Sequence, residues 1–347
     1  MQTLKIEKEQ KTQQKLCKGI ILLADNSYSQ IYGPAELDEI NKYVDIYCPQ
    51  LDEKRLREDL SVLNDAEVIF SGWGCPEITD EILDHAPNLK IIFYAAGSFR
   101  RLGHNGELFD RGIRVTSSVS ANAIPVAEFC LSQILFSLKL GWHFALKVKQ
   151  DKKWMPARER FEVPGGYDST VGIISLGAIS QKLIELLEPF DVNVLVSSSY
   201  ITPEQARQMG VKLASIEEIF RNSDVISLHT PAYHKGIITG EYFRMMKRNS
   251  TFLNTARGVC VREKEMIEVL EQRKDIVALL DVTDPEPPVE NGKLFNMPNV
   301  VTFPHIAGSM GNECRRMGRY AIDEFHRYIN GQPLKFEVTK QQWQYMA

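Results

Sequence analysis

The sequence predicts an α/β protein made of two doubly wound parallel-sheet domains. Short apolar runs alternate with helical patterns along nearly the whole chain, the order that yields parallel strands covered by helices. At 347 residues the chain is too long for one ordinary core and about right for two. The segment VGIISLGAIS (171–180) then opens a second α/β unit with a strand, a glycine turn and a helix.

The first unit begins with the apolar run GIILLAD (19–25), followed by YVDIYCP (43–49), AEVIFSG (66–72), LKIIFYAA (89–96) and GIRVTSS (112–118). The helical patterns AELDEINKY, DEKRLREDLSVL, TDEILDHAP and GELFDRG lie between them. Residues 121–150 read as one long helix bridging the domains, with Val126, Phe129, Leu131, Ile134, Leu135 and Leu138 on a wide apolar face and Pro125 in its first turn. In the second unit the expected strands are TVGIIS, VNVLVSS (192–198), VKLA, VISLHT (225–230), STFLNTA (250–256), IVALLDVT (276–283) and NVVTFPH (299–305). A helix is expected over 310–330, ended by Asn330-Gly331, with a last short strand at 334–339.

Bulk composition narrows the function classes. The net charge of −4, from 41 basic and 45 acidic residues, gives no electrostatic argument for nucleic acid or a membrane surface. Cys17, Cys48, Cys75, Cys130, Cys260 and Cys314 form no C-x-x-C pair and no Cys/His cluster of zinc spacing. Free thiols in a reducing cytoplasm, and no metal site, are therefore expected. The first residues, MQTLKIEKEQKTQQK, lack an apolar core and read as a frayed polar extension rather than a secretory signal. No apolar run reaches the roughly 18 residues a membrane helix needs.

The turn at 175–180 sits where a dinucleotide motif must sit, after a strand and before a helix. Gly177 is its central glycine, where backbone approaches a pyrophosphate at a helix N-terminus. Serines stand at the outer glycine positions. Ser175 is expected to make the turn at negative φ, and Ser180 to push the helix slightly outward. The next strand ends VSSSY, so Ser197, Ser198 and Ser199 supply hydroxyls there but no carboxylate to hold the adenosine ribose.

Three residues strengthen the case for a site. Arg257 in LNTARGVCV, Glu286 in DVTDPEPP and His305 in VTFPHIAGS each closely follow a predicted strand. Ligands of open parallel sheets bind beyond the carboxyl ends of the strands, so the three are expected to converge on one crevice. A carboxylate beside a histidine orients the ring and favours its protonated form, and a guanidinium grips a substrate carboxylate bidentately. Singly, each has an ordinary reading: a surface charge, a solvated loop carboxylate, a backbone-bonded histidine. Their joint placement argues for chemistry.

These segments together resemble the D-isomer-specific 2-hydroxyacid dehydrogenase family, which includes D-3-phosphoglycerate dehydrogenases and glyoxylate/hydroxypyruvate reductases. The resemblance runs from about Lys18 to Leu334 and rests on SANAIPVAE, SLHTP, NTARG, DVTDPEP and PHIAGS, in that order. It implies a Rossmann-type dinucleotide-binding domain over 120–309, inserted in a substrate-binding domain over 18–119 that 310–347 completes. It implies that Arg257 holds the substrate carboxylate, that His305 is the acid/base and that Glu286 orients it. Asp281 would bond the nicotinamide carboxamide, while Ala178, Ile179, Thr230, Thr255 and Gly308 would line the dinucleotide. Trp73, Gly74, Gly97 and Ser98 would come from substrate-side loops. Glu286 also sets the chain apart from formate dehydrogenases, which carry Gln there.

The expected activity is hydride transfer between a nicotinamide cofactor and a small 2-hydroxy or 2-keto acid, by a cytoplasmic homodimer. Ser198 removes the charge that repels a 2′-phosphate, yet no arginine follows to attract one. The cofactor is therefore NAD or NADP, with NAD slightly favoured. Arg100 or Arg101 in GSFRRLG would add positive charge near the substrate. The altered glycine motif supports one alternative, a cofactor-sensing binding protein or pseudoenzyme on the same fold; the Arg/Glu/His set opposes it.

Overall fold

Every apolar run read as a strand, except the last, forms one in a fully parallel sheet. The computed structural model describes residues 17–98, 102–103, 106–154 and 163–345. The proposed N-terminal extension and loop arginines Arg100 and Arg101 lie outside the described residues. The chain divides into two compact units, one running to Ala121 and resuming at Gly311, the other spanning Asn122–Met310.

The first unit holds β1 (Cys17–Leu22), β2 (Val44–Leu51), β3 (Val68–Gly72), β4 (Ile91–Ala95) and β5 (Arg114–Ser117), in the order β2-β1-β3-β4-β5. The second holds β6 (Ser169–Ile174), β7 (Val192–Ser197), β8 (Lys212–Leu213), β9 (Val225–Leu228), β10 (Thr251–Asn254), β11 (Val277–Leu280) and β12 (Val300–Thr302). Their order is β12-β11-β10-β9-β6-β7-β8. The chain winds one way from β6 to β8 and the other way from β9 to β12, so β6 and β9 flank the switch point where such sheets bind ligands.

Strands buried on both faces read as continuous apolar runs, and their side chains alternate between two cores. In β11, Val277 and Leu279 join the core under helix Val119–Leu138, while Ala278 and Leu280 join the core with Phe220, Phe243 and Phe252. In β1, Ile20 and Leu22 face one core and Ile21 the other.

Register is what places the site. Ile174 pairs with Leu228, Leu228 with Asn254, Asn254 with Leu280 and Leu280 with Thr302. The last residues of five strands thus lie side by side. The residues that follow them, Ser175, His229, Thr255, Asp281 and Phe303, emerge as one row along the carboxyl edge of the sheet.

Three expectations are corrected. The helix expected over 121–150 is two, Val119–Leu138 and Gly141–Asp151, because Leu140 turns to φ 50°. The helical pattern 52–63 breaks at extended Asp59, whose carboxylate accepts from Ser61 N at 2.9 Å and caps the short turn Leu60–Leu63. The expected strand 334–339 shrinks to a single antiparallel bridge, Thr116 with Glu337, backed by Arg114 on both Glu337 oxygens at 2.6 and 2.8 Å. Helix Val119–Leu138 is also long and apolar enough by composition to cross a membrane. Polar residues interrupt it, which is why no single apolar run shows it. Its Val126, Ala127, Cys130, Ile134 and Leu138 are buried in the second unit's core.

Gly318, in helix Glu313–Ile329, has no room for a side chain: a Cβ there would lie 2.2 Å from the carbonyl oxygen of Ile31. Gly318→Ala is expected to cost the first unit about 1–3 kcal/mol. Chemical denaturation checks this, and an unchanged midpoint contradicts the close approach.

Candidate active site

The turn after β6 runs through Ser175 at φ 76°, which corrects the expectation of a negative φ. A side-chain-bearing residue costs about 1–2 kcal/mol in this region. Two bonds hold it there. Ser175 N donates to Ser197 O at 2.9 Å, and Ser180 Oγ donates back to Ser175 O at 2.8 Å. Ser180 is fully buried, so its hydroxyl closes the turn from within. Gly177 caps helix Ala178–Leu187 and is exposed, as is Ala178; a Cβ at Gly177 would meet nothing within 4 Å. Ile179 is partly buried against the core.

At the switch point β9 runs out into His229 and Thr230, both buried. The Thr230 hydroxyl and His229 Nδ1 are buried atoms with no hydrogen-bond partner among the described residues. An orphaned hydroxyl beside an open glycine turn and an exposed helix start fits a polar ligand reaching the sheet at this point. The residues present therefore suit a dinucleotide. Ser198 follows β7, and its Oγ accepts from Tyr200 N at 3.1 Å.

The next strand end is shaped by Asn254. Its Oδ1 accepts from Ala256 N at 3.0 Å and its Nδ2 donates to Arg257 O at 3.3 Å, folding NTARG back on itself. Arg257 is half-buried and donates to Ala256 O at 2.6 Å. Thr255 lies buried with its hydroxyl 3.3 Å from the Cys130 sulfur. Cys260 donates its thiol to Thr230 O at 3.4 Å, tying this loop to its neighbour.

Asp281 and His305 form the tightest part. Asp281 Oδ1 accepts from Ile306 N at 2.8 Å and Oδ2 from Ala307 N at 3.0 Å, while its carbonyl accepts from His305 N at 3.1 Å. Asp281 thereby holds the loop on which His305 sits at φ 54°, a role its resemblance-based assignment did not include. His305 Nδ1 lies 2.5 Å from Glu286 Oε1. Both side chains keep solvent access, 49% for His305 and 40% for Glu286. The couple opens on a cavity of about 560 Å³ lined by Asp281, Thr283, Phe295 and Phe303 among others. Gly308 packs beside Asn122, whose Oδ1 accepts from Ser309 N at 2.9 Å.

In the first unit, Trp73 and Gly74 follow β3, and Gly97 and Ser98 follow β4, again at carboxyl ends of strands. Trp73 O accepts from Ala24 N at 3.0 Å, and Tyr94 OH donates to Ser98 O at 3.0 Å. Gly74 has φ 78°, and a Cβ there would lie 2.3 Å from the Ala24 side chain. The structure thus brings Asp281, Glu286 and His305 into direct contact and sets Arg257, Thr255 and Thr230 along the same edge. Asn254 and Asn122 were not singled out by sequence reasoning. Both lie inside motifs, Asn122 in SANAIPVAE and Asn254 in NTARG, and their side chains serve the loops rather than a ligand.

Fold and site together define a dinucleotide-binding α/β protein with a histidine–carboxylate pair at the carboxyl edge of its sheet. Residues 134–307 match the D-isomer specific 2-hydroxyacid dehydrogenase, NAD binding domain, and the chain belongs to that family. The matched domain is an NAD-binding one. The chain is 30% identical over 278 residues to the D-3-phosphoglycerate dehydrogenase of Methanocaldococcus jannaschii, a match covering 79% of this chain and 52% of that one. It is 30% identical over 267 residues to human glyoxylate reductase/hydroxypyruvate reductase, covering 75% and 80%. The chain spans about half the length of the D-3-phosphoglycerate dehydrogenases it matches. In fold alone it resembles a phosphoglycerate oxidoreductase from Rhizobium etli, with a TM-score of 0.79 at 19% identity over 94% of this chain and 99% of that one.

Burial holds the His229 imidazole down at a pKa of about 4, from an ordinary 6.5, while Ser227 Oγ lies 2.9 Å from its Nε2. Between those two values the unfolded chain binds the extra proton, so stability falls as pH drops from 6.5 towards 4. The loss attributable to this one group is about 3 kcal/mol. His229→Gln should flatten that limb. Denaturation of both proteins at pH 7 and pH 4.5 is the check, and parallel losses in the two would remove the assignment.

Proposed function

We propose that this protein is a nicotinamide-dependent 2-hydroxyacid dehydrogenase in which His305 is the acid/base. The observation that carries the reading is the 2.5 Å approach of Glu286 to His305 Nδ1, on an exposed strand end in the same row as Arg257. With Nδ1 turned to the carboxylate, Nε2 is the ring nitrogen left for substrate. When bound, the nicotinamide exchanges a hydride with C2 of the substrate.

The chain's own residues supply the rest. Arg257 grips the substrate carboxylate and sets C2 and its oxygen before His305. In reduction His305 donates a proton from Nε2 to the oxygen of the 2-keto acid; in oxidation it takes that proton back. Glu286 keeps the ring aligned in both directions. Asp281 holds the backbone beneath His305, and its oxygens retain lone pairs for a carboxamide. Gly177, Ala178, Ile179 and Thr230 receive the dinucleotide, with Thr255 and Gly308 along its path. Trp73, Gly74, Gly97 and Ser98 serve the substrate. A binding protein that only senses the cofactor needs no oriented histidine, so the couple favours an enzyme.

The working form in this reading is a homodimer. Helix Val119–Leu138 presents Phe136 at 43% exposure, beside the partly exposed Phe129, Leu131 and Leu135. All six cysteines are free, which fits a reducing cytoplasm.

His305→Gln is expected to lower kcat for 2-keto acid reduction by about 10²–10⁴, with NADH affinity nearly unchanged. Steady-state rates and a fluorescence titration measure the two, and an undiminished kcat would falsify the role. Ser198 carries no charge to repel a 2′-phosphate and no arginine follows directly to attract one, so both cofactors are admitted, with NAD slightly favoured. Ser198→Asp should weaken NADPH binding about tenfold, about 1.4 kcal/mol, and leave NADH binding equal or tighter. Equal losses for the two cofactors would place Ser198 away from the ribose.

A further inference from the structure

We infer that Glu263 is a positioning residue for the His305–Glu286 couple: its carboxylate clamps the loop bearing Glu286 to the segment bearing Arg257. The inference rests on the dehydrogenase reading above and names a part of that machinery which neither motif nor likeness assigns.

The loop from Asp284 to Pro288 reads DPEPP, and three of its residues are prolines without an N–H. Only Asp284 and Glu286 have backbone donors with which this stretch can be fastened. The Asp284 amide is spent on Glu263, donating to Oε2 at 3.0 Å. Two residues further on, Glu286 meets His305. The clamp therefore grips close to the carboxylate whose placement matters.

Its other side is fixed as well. Glu263 opens helix Glu263–Gln272, and the short turn Gly258–Cys260 connects it to Arg257, the residue before that turn. Gly258 packs directly beneath the same loop: a Cβ there would lie 2.0 Å from the carbonyl carbon and oxygen of Thr283. Thr283 Oγ1 donates to Pro285 O at 2.8 Å and stiffens the loop from within. The Arg257 segment and the Glu286 loop thus touch through a packing contact and one charge-assisted hydrogen bond. Half-burial pushes the Glu263 carboxyl above its ordinary range, a cost that the Asp284 amide offsets in part.

A carboxylate near a helix start can also act on the helix alone. Two variants separate that role from the clamp. Glu263→Ala removes the acceptor, whereas Glu263→Gln removes the charge and keeps an oxygen for Asp284 N. Hydrogen–deuterium exchange over 283–288 should quicken about tenfold or more in Glu263→Ala and stay near wild type in Glu263→Gln. With any 2-keto acid turned over by the wild type, kcat should fall about tenfold in Glu263→Ala, recover most of that in Glu263→Gln, and leave the KM for NADH unmoved. Equal slowing by both variants, or a kcat for Glu263→Ala within twofold of wild type, overturns the inference. Should the wild type reduce no 2-keto acid, the dehydrogenase reading fails by itself. The exchange experiment still decides the clamp, because unchanged protection at 283–288 in Glu263→Ala overturns it.

Discussion

The site depends on the common register of five parallel strands. Because Ile174, Leu228, Asn254, Leu280 and Thr302 stand side by side, the chain leaves the sheet at the same height each time. Short excursions are then enough to set a glycine turn, a threonine, an arginine and a histidine along one edge. A one-residue slip in any strand would turn its side chains to the opposite face and shift its loop out of the row. The two buried cores prevent that slip, since each strand fills both with alternate residues.

On this frame the functional loops are fastened by polar groups rather than by apolar packing. Asp281 grips the His305 loop with both carboxylate oxygens and its carbonyl. Asn254 folds the Arg257 loop on itself, and Asn122 holds the backbone at Ser309. His305 keeps a positive φ that a free chain would seldom adopt. Such a conformation persists only where the surroundings over-determine it, and Asp281 supplies most of that determination. The serine turn follows the same logic: the backbone of Ser175 is held at positive φ by a strand carbonyl on one side and the Ser180 hydroxyl on the other.

Much of this was legible in the sequence, for a physical reason. Strands buried on both faces appear as unbroken apolar runs, and functional residues of parallel sheets follow such runs directly. Glu286 and His305, which meet in the structure, could therefore be placed at one edge from spacing alone, with Arg257 beyond the neighbouring strand. What escaped were features set by backbone geometry or long-range pairing. The φ of Ser175 depends on Ser180 and Ser197, not on its own identity. The helix break at Leu140 carries no proline and no glycine before Gly141 to announce it. Asp59 reads as a helix residue until its carboxylate turns to cap Ser61. Asp281 reads as a ligand-facing acid, and only the contacts show it gripping Ile306 and Ala307.

The bridge between Thr116 and Glu337 bears on how the protein is made. Glu337 and Arg114, which pairs with its carboxylate, are 223 residues apart in the chain. A ribosome adding about 5–20 residues per second leaves β5 waiting roughly 10–45 seconds for that partner. Everything between Asn122 and Met310 emerges during the interval and can close its own cores first. Helix Glu313–Ile329, which packs on Phe70 and Phe93 through Phe325, follows that whole inserted unit in the chain. Until then the part of that sheet face which Phe325 covers stands open on the nascent chain, with Ile31, Tyr32 and Ile40 alone on the rest of it, and a holding chaperone has most to cover.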